Sequence, residues 1–318
     1  MVILVTGGAG FIGRWVVKHL LEKEKIIVVL DNLENGREDN LKEFQSHSGL
    51  KEFIIGDIKD QRLIERLFKK YKFDSCIHLA ASINVQESLD NPKKSFENNV
   101  IGTFNILEEA RKINTKVLLI GTCMVYDLAN STIPISETHP VKPGSPYAGS
   151  KLAAEDLALS YYFGFGLPVI ILRPFNTYGP FQKTNMDGGV ISIFVKRKIT
   201  NQTLHIYGDG KQTRDYLYVE DCAEFITKAL DNEDCIGEII NAGTGKDISI
   251  NDLATLIIGN EKLIDHVEHH HPQSEIMKLV CDNTKAKNML GWIPKTLLKE
   301  GISKLETWIK ENENEVND

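Results

Sequence analysis

Tyr147 and Lys151, in the stretch Gly144-Ser-Pro-Tyr147-Ala-Gly-Ser-Lys151, have the types and spacing for proton chemistry on an alcohol. Four residues apart, they project from one face of a helix. A lysine ammonium beside a phenol stabilises the phenolate, moving a group of ordinary pKa about 10 toward working pH. Tyr147 is therefore expected to act as a general base and afterwards as a general acid. The same spacing also arises on ordinary surface helices, so its weight rests on what stands before it.

The N-terminal residues predict a platform for such a pair. Met1-Val-Ile-Leu-Val-Thr6 is a continuous apolar run of the kind a buried parallel strand shows. It runs into Gly7-Gly-Ala-Gly10-Phe-Ile-Gly13, and a helical pattern continues through Val16, Val17, Leu20 and Leu21. Gly8-x-Gly10-x-x-Gly13 and Gly7-x-x-Gly10-x-x-Gly13 both satisfy dinucleotide-binding spacings. The glycines permit a tight turn, let backbone approach a pyrophosphate, and allow helix and strand to pack closely; the helix N-terminus offers amides and dipole to the phosphates. A second strand, Ile26-Ile-Val-Val-Leu30, ends in Asp31-Asn32. An acid about 20 residues beyond the glycines accepts hydrogen bonds from the adenosine ribose and repels a 2′-phosphate, so NAD is favoured over NADP. Arg37 could soften that preference.

Further along, Phe53-Ile-Ile-Gly-Asp57-Ile58 reads as a third strand, with Asp57 meeting the adenine amino group or capping the helix expected over 61–70. Cys76-Ile-His78-Leu-Ala-Ala81 is a fourth, whose small alanines leave room for a flat ring and whose His78 reads as a packed strand residue. The polar loop from Ser82 to Asn91 leaves its carboxyl end, where α/β sheets bind ligands. Asn98-Asn99 opens a long amphipathic helix, with Asn99 bonding buried backbone or reaching the cofactor. Val117–Ile120, Val169–Leu172 and Glu238–Gly243 complete a seven-strand reading. The tail 247–318 is expected to be mainly helical, ending in the charged run from Lys310.

The 318 residues, 42% hydrophobic and 25% charged, are ordinary globular values for one large domain or two modest ones. A net charge of −7 argues against a general nucleic-acid binder. Cys76, Cys123, Cys222, Cys235 and Cys281 are odd in number and scattered, which suits reduced thiols in a cytoplasm. The chain starts directly on a strand with no signal-peptide pattern, and its apolar runs are too short to span a membrane. A cytoplasmic protein without membrane or nucleic-acid partners is expected.

Taken together, the motifs resemble those of the extended short-chain dehydrogenase/reductases, in the branch of nucleotide-sugar epimerases and dehydratases. The residues that carry the likeness are Thr-Gly-Gly-Ala-Gly-Phe-Ile-Gly at 6–13, Asp31-Asn32-Leu33, Gly56-Asp57-Ile58, His78-Leu-Ala-Ala81, Thr122 before Val125-Tyr126, and Tyr147-x-x-x-Lys151. Further on come Arg173-Pro-Phe-Asn176-x-Tyr-Gly-Pro180, Gly208-Asp-Gly-x-Gln-x-Arg214-Asp-Tyr and Leu290-Gly-Trp292. The likeness implies an α/β fold, a doubly wound parallel (Rossmann) sheet with a smaller, discontinuous substrate lobe. Its expected boundaries are 1–175 with 214–243 returning for the NAD domain, and 176–213 with 244–318 for the lobe.

By that resemblance NAD is held by Gly7, Gly10, Phe11, Ile12, Gly13, Asp31, Asn32, Asp57, Ile58, Leu79, Ala80, Ala81, Asn99, Tyr147, Lys151 and Phe175. The nucleotide-diphosphate sugar, UDP-linked by analogy, meets Ser82, Asn84, Thr122, Asn176, Val190, His205, Tyr207, Arg214 and His271. Arg214 pairs with phosphate, for which a guanidinium fork is suited. His269–His271 stand where the family often has a second basic residue, and a phosphate-side or solvated role outweighs a metal site. No metal is expected. A homodimer through helices near 95–113 and 148–163, forming a four-helix bundle, is also implied.

The resemblance further implies that hydride leaves sugar C4 while Tyr147 takes the C4 hydroxyl proton, with Thr122 sharing that hydroxyl and Lys151 holding the nicotinamide ribose. The fate of the resulting ketone depends on the two positions after Thr122, which in ordinary 4,6-dehydratases are Asp-Glu. Here they are Cys123 and Met124. A largely protonated thiol could serve as the acid toward the C6 oxygen, but methionine cannot take a proton from C5. Tyr147, Lys151 or a loop carboxylate such as Glu87 would then be the base. A 4-epimerase needs no acid or base there, yet Met124 would restrict the rotation it requires. The reading leans to a dehydratase, with a 4-epimerase as alternative and a non-catalytic NAD-binding or redox-sensing protein as the rival of another class.

Overall fold

The computed structural model describes residues 1–127, 133–185, 189–259, 261–268 and 276–312. In chain order the strands are β1 (Val2–Thr6), β2 (Ile26–Asp31), β3 (Leu50–Ile55), β4 (Ser75–His78), β5 (Lys116–Ile120), β6 (Val169–Pro174), β7 (Asn176–Tyr178), β8 (Leu204–Tyr207), β9 (Thr213–Tyr218), β10 (Ile239–Ala242), β11 (Asp247–Ser249), β12 (Ile264–Val267) and β13 (Lys278–Leu279). The helices are α1 (Phe11–Glu22), α2 (Gln61–Tyr71), α3 (Val85–Asp90), α4 (Pro92–Phe96), α5 (Gly102–Ile113), α6 (Pro146–Phe165), α7 (Val190–Ile199), α8 (Val219–Leu230), α9 (Ile250–Ile258), α10 (Thr284–Leu290) and α11 (Leu298–Glu311).

Seven strands form one sheet in the order β10-β6-β5-β4-β1-β2-β3. The pairs from β3 through β6 are parallel. Sequence order reverses at β1, which lies between β2 and β4, and this is the switch point at which doubly wound sheets bind ligands. Residues buried on both faces explain the unbroken apolar runs: Ile3, Leu4, Val5 and Ile27–Leu30 are all fully inaccessible. On one face Leu4, Val28 and Val117 join Leu63, Leu67, Ile106 and Leu107 from α2 and α5 in a single core.

The chain divides into two compact units. The first holds residues 1–125, 145–173 and 223–240 and so contains nearly all of the sheet. The second holds 126–144, 174–222 and 241–318. Within the second unit, β9 pairs with β7, β11 and β13, and β8 pairs with β12. Helices α7, α9 and α11 pack there around Phe194, Leu204, Tyr218, Leu253 and Leu305. Residues 126–144 and 214–222 belong to the second unit, whereas the boundaries expected from the motifs assign them to the first.

Two local expectations need correction, the start of the long helix and the cap of α2. Asn98 and Asn99 do not open the long helix; α4 precedes them, a π turn spans Glu97–Ile101, and α5 begins only at Gly102. A β-carbon at Gly102 would meet Ile58 Cδ1 at 2.3 Å, so glycine is what lets α5 lie this close to Ile58. The described residues of the tail from 247 are mainly helical, as expected, through α9, α10 and α11, while β11, β12 and β13 add to strands more than 30 residues away in sequence. The cap of α2 is Asp60, which accepts from Leu63 N at 3.1 Å; Asp57 instead closes a tight turn by accepting from Lys59 N at 2.8 Å. Among the described residues no helix is long and apolar enough to cross a membrane.

Candidate active site

Helix α6 begins where local chemistry dictates. Ser145 accepts from Ala148 N at 3.2 Å and Pro146 takes the first helical position, where its missing N–H costs nothing. Tyr147 comes next, and the helical repeat then sets Lys151 and Glu155 on the same face. All three are buried. Facing them is the end of β5. Lys151 Nζ donates to the Ile120 carbonyl at 2.5 Å, and Thr122 Oγ1 accepts from Met124 N at 3.2 Å, which fixes the short turn Cys123–Val125. Thr122 also hydrogen-bonds the Tyr147 phenol. Thr122, Tyr147 and Lys151, which the family resemblance groups, thus meet within the first unit.

The electrostatics depart from expectation. Burial pushes the Tyr147 phenol up to about 12; the Thr122 hydrogen bond pulls it down, and Cys123 and Glu155 push it up. In the protein alone Tyr147 is therefore a neutral hydroxyl at neutral pH, and Lys151 does not bring it down to working pH. Lys151 is itself lowered to about 8 by burial, with Glu155 opposing the shift. Its ammonium is committed to the Ile120 carbonyl, which leaves desolvation as the dominant effect on the phenol.

The glycine loop fits a dinucleotide. Gly10 caps α1 in an extended conformation with no side-chain hydrogen bond, so the first amides of the helix are left for a ligand. Gly7 has φ +71°, and an ideal β-carbon at Gly13 would lie 2.0 Å from the Gly7 carbonyl oxygen. Only glycine at Gly13 allows α1 to close on β1. At the end of β2, buried Asp31 accepts from Ala9 N at 3.0 Å and from Leu33 N at 2.9 Å. Burial raises the Asp31 carboxyl, while these backbone donors pull it down. Beside it, Asn32 Nδ2 donates to Asp57 Oδ2 at 3.3 Å. The amides of Phe11, Ile12 and Gly13, with the Asp31 carboxylate, suit a pyrophosphate and a ribose respectively.

A buried polar chain ties this platform to α6. His78 is held neutral, its pKa lowered to about 3 by burial and then by the Lys151 charge. Thr103 donates to Asn99 O at 2.6 Å and so accepts from His78 Nε2 at 3.0 Å; Thr6, accepting from Ala80 N at 3.3 Å, donates to His78 Nδ1 at 2.6 Å. Asn99 makes the structural contacts of the first of its two readings. Its amide donates to Ser82 O and Ser150 Oγ, and its oxygen accepts from Ser82 N. Ser82 Oγ accepts from Asn98, and Asn84 caps α3 through Glu87 N. Ser82, Asn84 and Asn99 are thus engaged in building the segment after β4. Ile58 is buried against Gly102, and Leu79, Ala80 and Ala81 are half-buried.

Glu87 is also engaged. Lys94 pairs with both Glu87 and Glu34, joining the segment after β4 to the one after β2.

Phe175, Asn176, Val190, His205, Tyr207 and Arg214 all lie in the second unit. Arg214 donates through Nη1 to the carbonyls of Thr213 and Ile276, at 2.8 and 2.6 Å, and Asn176 donates to Asp215 O at 3.3 Å. His205 is exposed on β8, Tyr207 is half-buried at its end, Val190 starts α7, and Phe175 is buried. His269–His271 lie outside the described residues.

Sequence reasoning missed Glu155 and the role of Arg173, which donates to Glu155 Oε2 through Nε at 3.0 Å and Nη2 at 2.6 Å. The available signal was the four-residue step from Tyr147 through Lys151 to Glu155.

Comparison with known proteins places this arrangement among characterised relatives. Residues 4–305 match the family described as GDP-mannose 4,6 dehydratase. The UDP-glucose 4-epimerase of Mycolicibacterium smegmatis is 36% identical over 310 residues, covering 95% of this chain and 96% of that protein. The structure of Pal from Bacillus thuringiensis is 57% identical with a TM-score of 0.96, covering 98% of this chain and 99% of that one. DesIV, a dTDP-glucose 4,6-dehydratase from Streptomyces venezuelae solved with NAD bound, is 30% identical with a TM-score of 0.92, covering 99% and 98%.

Proposed function

The chain belongs to the GDP-mannose 4,6 dehydratase family, NAD-dependent nucleotide-sugar epimerases and dehydratases of the extended short-chain dehydrogenase/reductase type, and on that premise we propose that it isomerises a nucleotide-diphosphate hexose through a 4-keto intermediate without losing water. Epimerisation at C4 of a UDP-hexose or UDP-N-acetylhexosamine is the reaction this supports best. The observation that carries it is the turn after Thr122, where the acid and base positions of a 4,6-dehydratase hold Cys123 and Met124. The loop carboxylate that could have replaced them, Glu87, is paired with Lys94.

The Gly7–Gly13 loop would hold NAD, which would supply the hydride acceptor and donor for C4. Thr122 and Tyr147 hold the C4 hydroxyl, and Tyr147 removes its proton as C4 is oxidised and returns it as C4 is reduced. Burial holds the phenol up and the Thr122 hydrogen bond pulls it down; with the cofactor and sugar in place, the Lys151 charge one helical turn away would add to that pull as the proton moves. Asp31 receives the adenosine ribose. In the second unit, the Arg214 guanidinium would face the diphosphate and Asn176 would offer an amide to a phosphate or sugar oxygen.

The test is mass spectrometry with NMR of UDP-GlcNAc and UDP-glucose after incubation with the protein and catalytic NAD. An unchanged mass with a new C4 configuration is expected. Loss of one water would overturn the reading in favour of a dehydratase, for which Cys123, close enough to raise the Tyr147 phenol, would be the acid. Retained NAD with no conversion of either sugar would favour the non-catalytic reading.

A homodimer through α4, α5 and α6 is part of the proposal. Phe96, Ile101 and Phe104 are 39–51% exposed there, and Phe163 and Phe165 exceed 60%. Light scattering is expected to give twice the chain mass of 35.8 kDa, and Phe104→Glu to give the single-chain mass. A wild-type chain that scatters as a monomer would sink it.

A further inference from the structure

We propose that Glu155, held by Arg173, is a positioning residue for the reaction: it supplies the buried negative charge that keeps Lys151 an ammonium against the Ile120 carbonyl, one turn from Tyr147. The inference rests on the roles proposed for Tyr147 and Lys151. It begins from an ion pair with almost no access to water, Glu155 being 1% exposed and Arg173 3%. Such a pair contributes little to stability compared with apolar residues of the same shape, so its presence calls for another explanation. Two Arg173 donors, Nε and Nη2, go to one oxygen, Oε2. The other, Oε1, is buried and has no hydrogen-bond partner among the described residues.

Oε1 is directed at the backbone that carries the site. A β-carbon at Gly121 would sit 2.0 Å from it, so glycine between Ile120 and Thr122 is the condition for Glu155 to reach the end of β5. Ile120 is the residue whose carbonyl receives Lys151. The carboxylate therefore stands against the same stretch of β5 that holds Lys151 and leads into Thr122, and on the same face of α6 as Lys151.

The groups around this cluster act in opposite senses. Lys151 faces Tyr147 and Glu155 on its own helix and His78 from β4, and the neutral His78 brings no charge to it. Glu155 faces Arg173 from β6, Lys151, and Asp156 beside it on α6. Burial holds the Glu155 carboxyl above its ordinary value, with Arg173 and then Lys151 pulling it back down. Burial drives Lys151 toward its neutral form, and Glu155 is the charge that opposes it. Glu108 of α5 is occupied further along α6, accepting from Tyr161 and Arg111.

The experiment uses the holoenzyme labelled with 13C at lysine Cε, with the Lys151 signal identified by its absence in Lys151→Arg. Its titration midpoint is expected to fall by about one pH unit or more in Glu155→Gln. Glu155→Asp, which is shorter but keeps the charge, is expected to restore most of the shift, whereas a packing role would be served better by Gln. If Glu155→Gln fails to fold because Arg173 is left buried without its partner, Glu155→Gln/Arg173→Met removes both charges and is expected to lower the midpoint as well. An unchanged midpoint in the folded Gln variants overturns the proposal. The titration needs no turnover, so it separates this proposal from the assignment of the reaction. Where the wild type converts a nucleotide sugar, the alkaline limb of kcat is expected to move to lower pH in Glu155→Gln with KM unchanged.

Discussion

Tyr147→Phe is expected to lower kcat by about 10²–10⁴-fold, the range that a positioned acid–base group supplies. The reason is local. The phenol is buried, hydrogen-bonded to Thr122, and one helical turn from Lys151, so no solvent hydroxyl can take its place in receiving the C4 proton. Phenylalanine keeps the ring in the space α6 and β5 provide, and the fold is expected to survive. The Thr122 hydroxyl loses a partner, a cost of about 1–3 kcal/mol if nothing replaces it. The glycine loop and Asp31 do not touch the substituted atom, so bound NAD and the KM for the nucleotide sugar should be little changed. The measurement is the sugar-dependent rise in absorbance of reduced nicotinamide on mixing enzyme with nucleotide sugar. Its disappearance with cofactor content intact is the expected result. A Phe variant within tenfold of wild type would remove Tyr147 from the proton transfer.

Gly13→Ala is expected to empty the cofactor site. The added carbon would lie 2.0 Å from Gly7 O and 2.7 Å from Gly8 Cα, both backbone atoms that no side-chain rotation can clear. Either α1 backs away from β1 or the loop distorts, and each outcome spoils the presentation of the Phe11, Ile12 and Gly13 amides to a pyrophosphate. Overpacking of this kind costs about 1–3 kcal/mol, more where only backbone can move. Nucleotide released from purified protein by heat, quantified by chromatography, should fall to a small fraction of wild type, with a lower urea midpoint. Gly149→Ala is the matching control. Two residues beyond Tyr147, Gly149 has nothing within 4 Å of an added β-carbon, and in a helix interior the change is expected to stabilise by about 0.5–1 kcal/mol. Full cofactor retention in Gly13→Ala would show that the loop, as described, is not what holds the dinucleotide.

Much of the fold and part of the site were legible in the chain because they are written in contiguous residues. An apolar run, a glycine loop and a helical repeat make β1 and α1 without reference to anything distant, and Asp31 is found by counting from them. The step of four that sets Tyr147 and Lys151 on one helix face is equally local. Strand content of the parallel sheet is readable from runs buried on both faces. The short strands of the second unit are not, since β11, β12 and β13 are two to four residues long and exist only as additions to β8 and β9.

Side-chain roles divide along the same line. The residue types at Asp57, Asn99 and Glu87 allow a ligand contact or a structural one, and the structural partners are visible only in the folded chain. Asp57 closes a turn, Asn99 spends its amide on Ser82 and Ser150, and Glu87 pairs with Lys94, because the partners lie in other elements. The state of Tyr147 departs from its sequence-based expectation for a related reason: spacing shows that a lysine is near, but the balance between its charge and desolvation depends on burial. Glu155 and Arg173 stand 18 positions apart and meet only because α6 lies across β5 and β6. The sequence by itself determined the family through its motifs, and the dinucleotide loop and the Tyr147–Lys151 step through local spacing, with Thr122 joining them by the family resemblance. The tertiary structure decided which polar groups are already engaged and how burial sets their charge, since both depend on neighbours that local sequence does not contain.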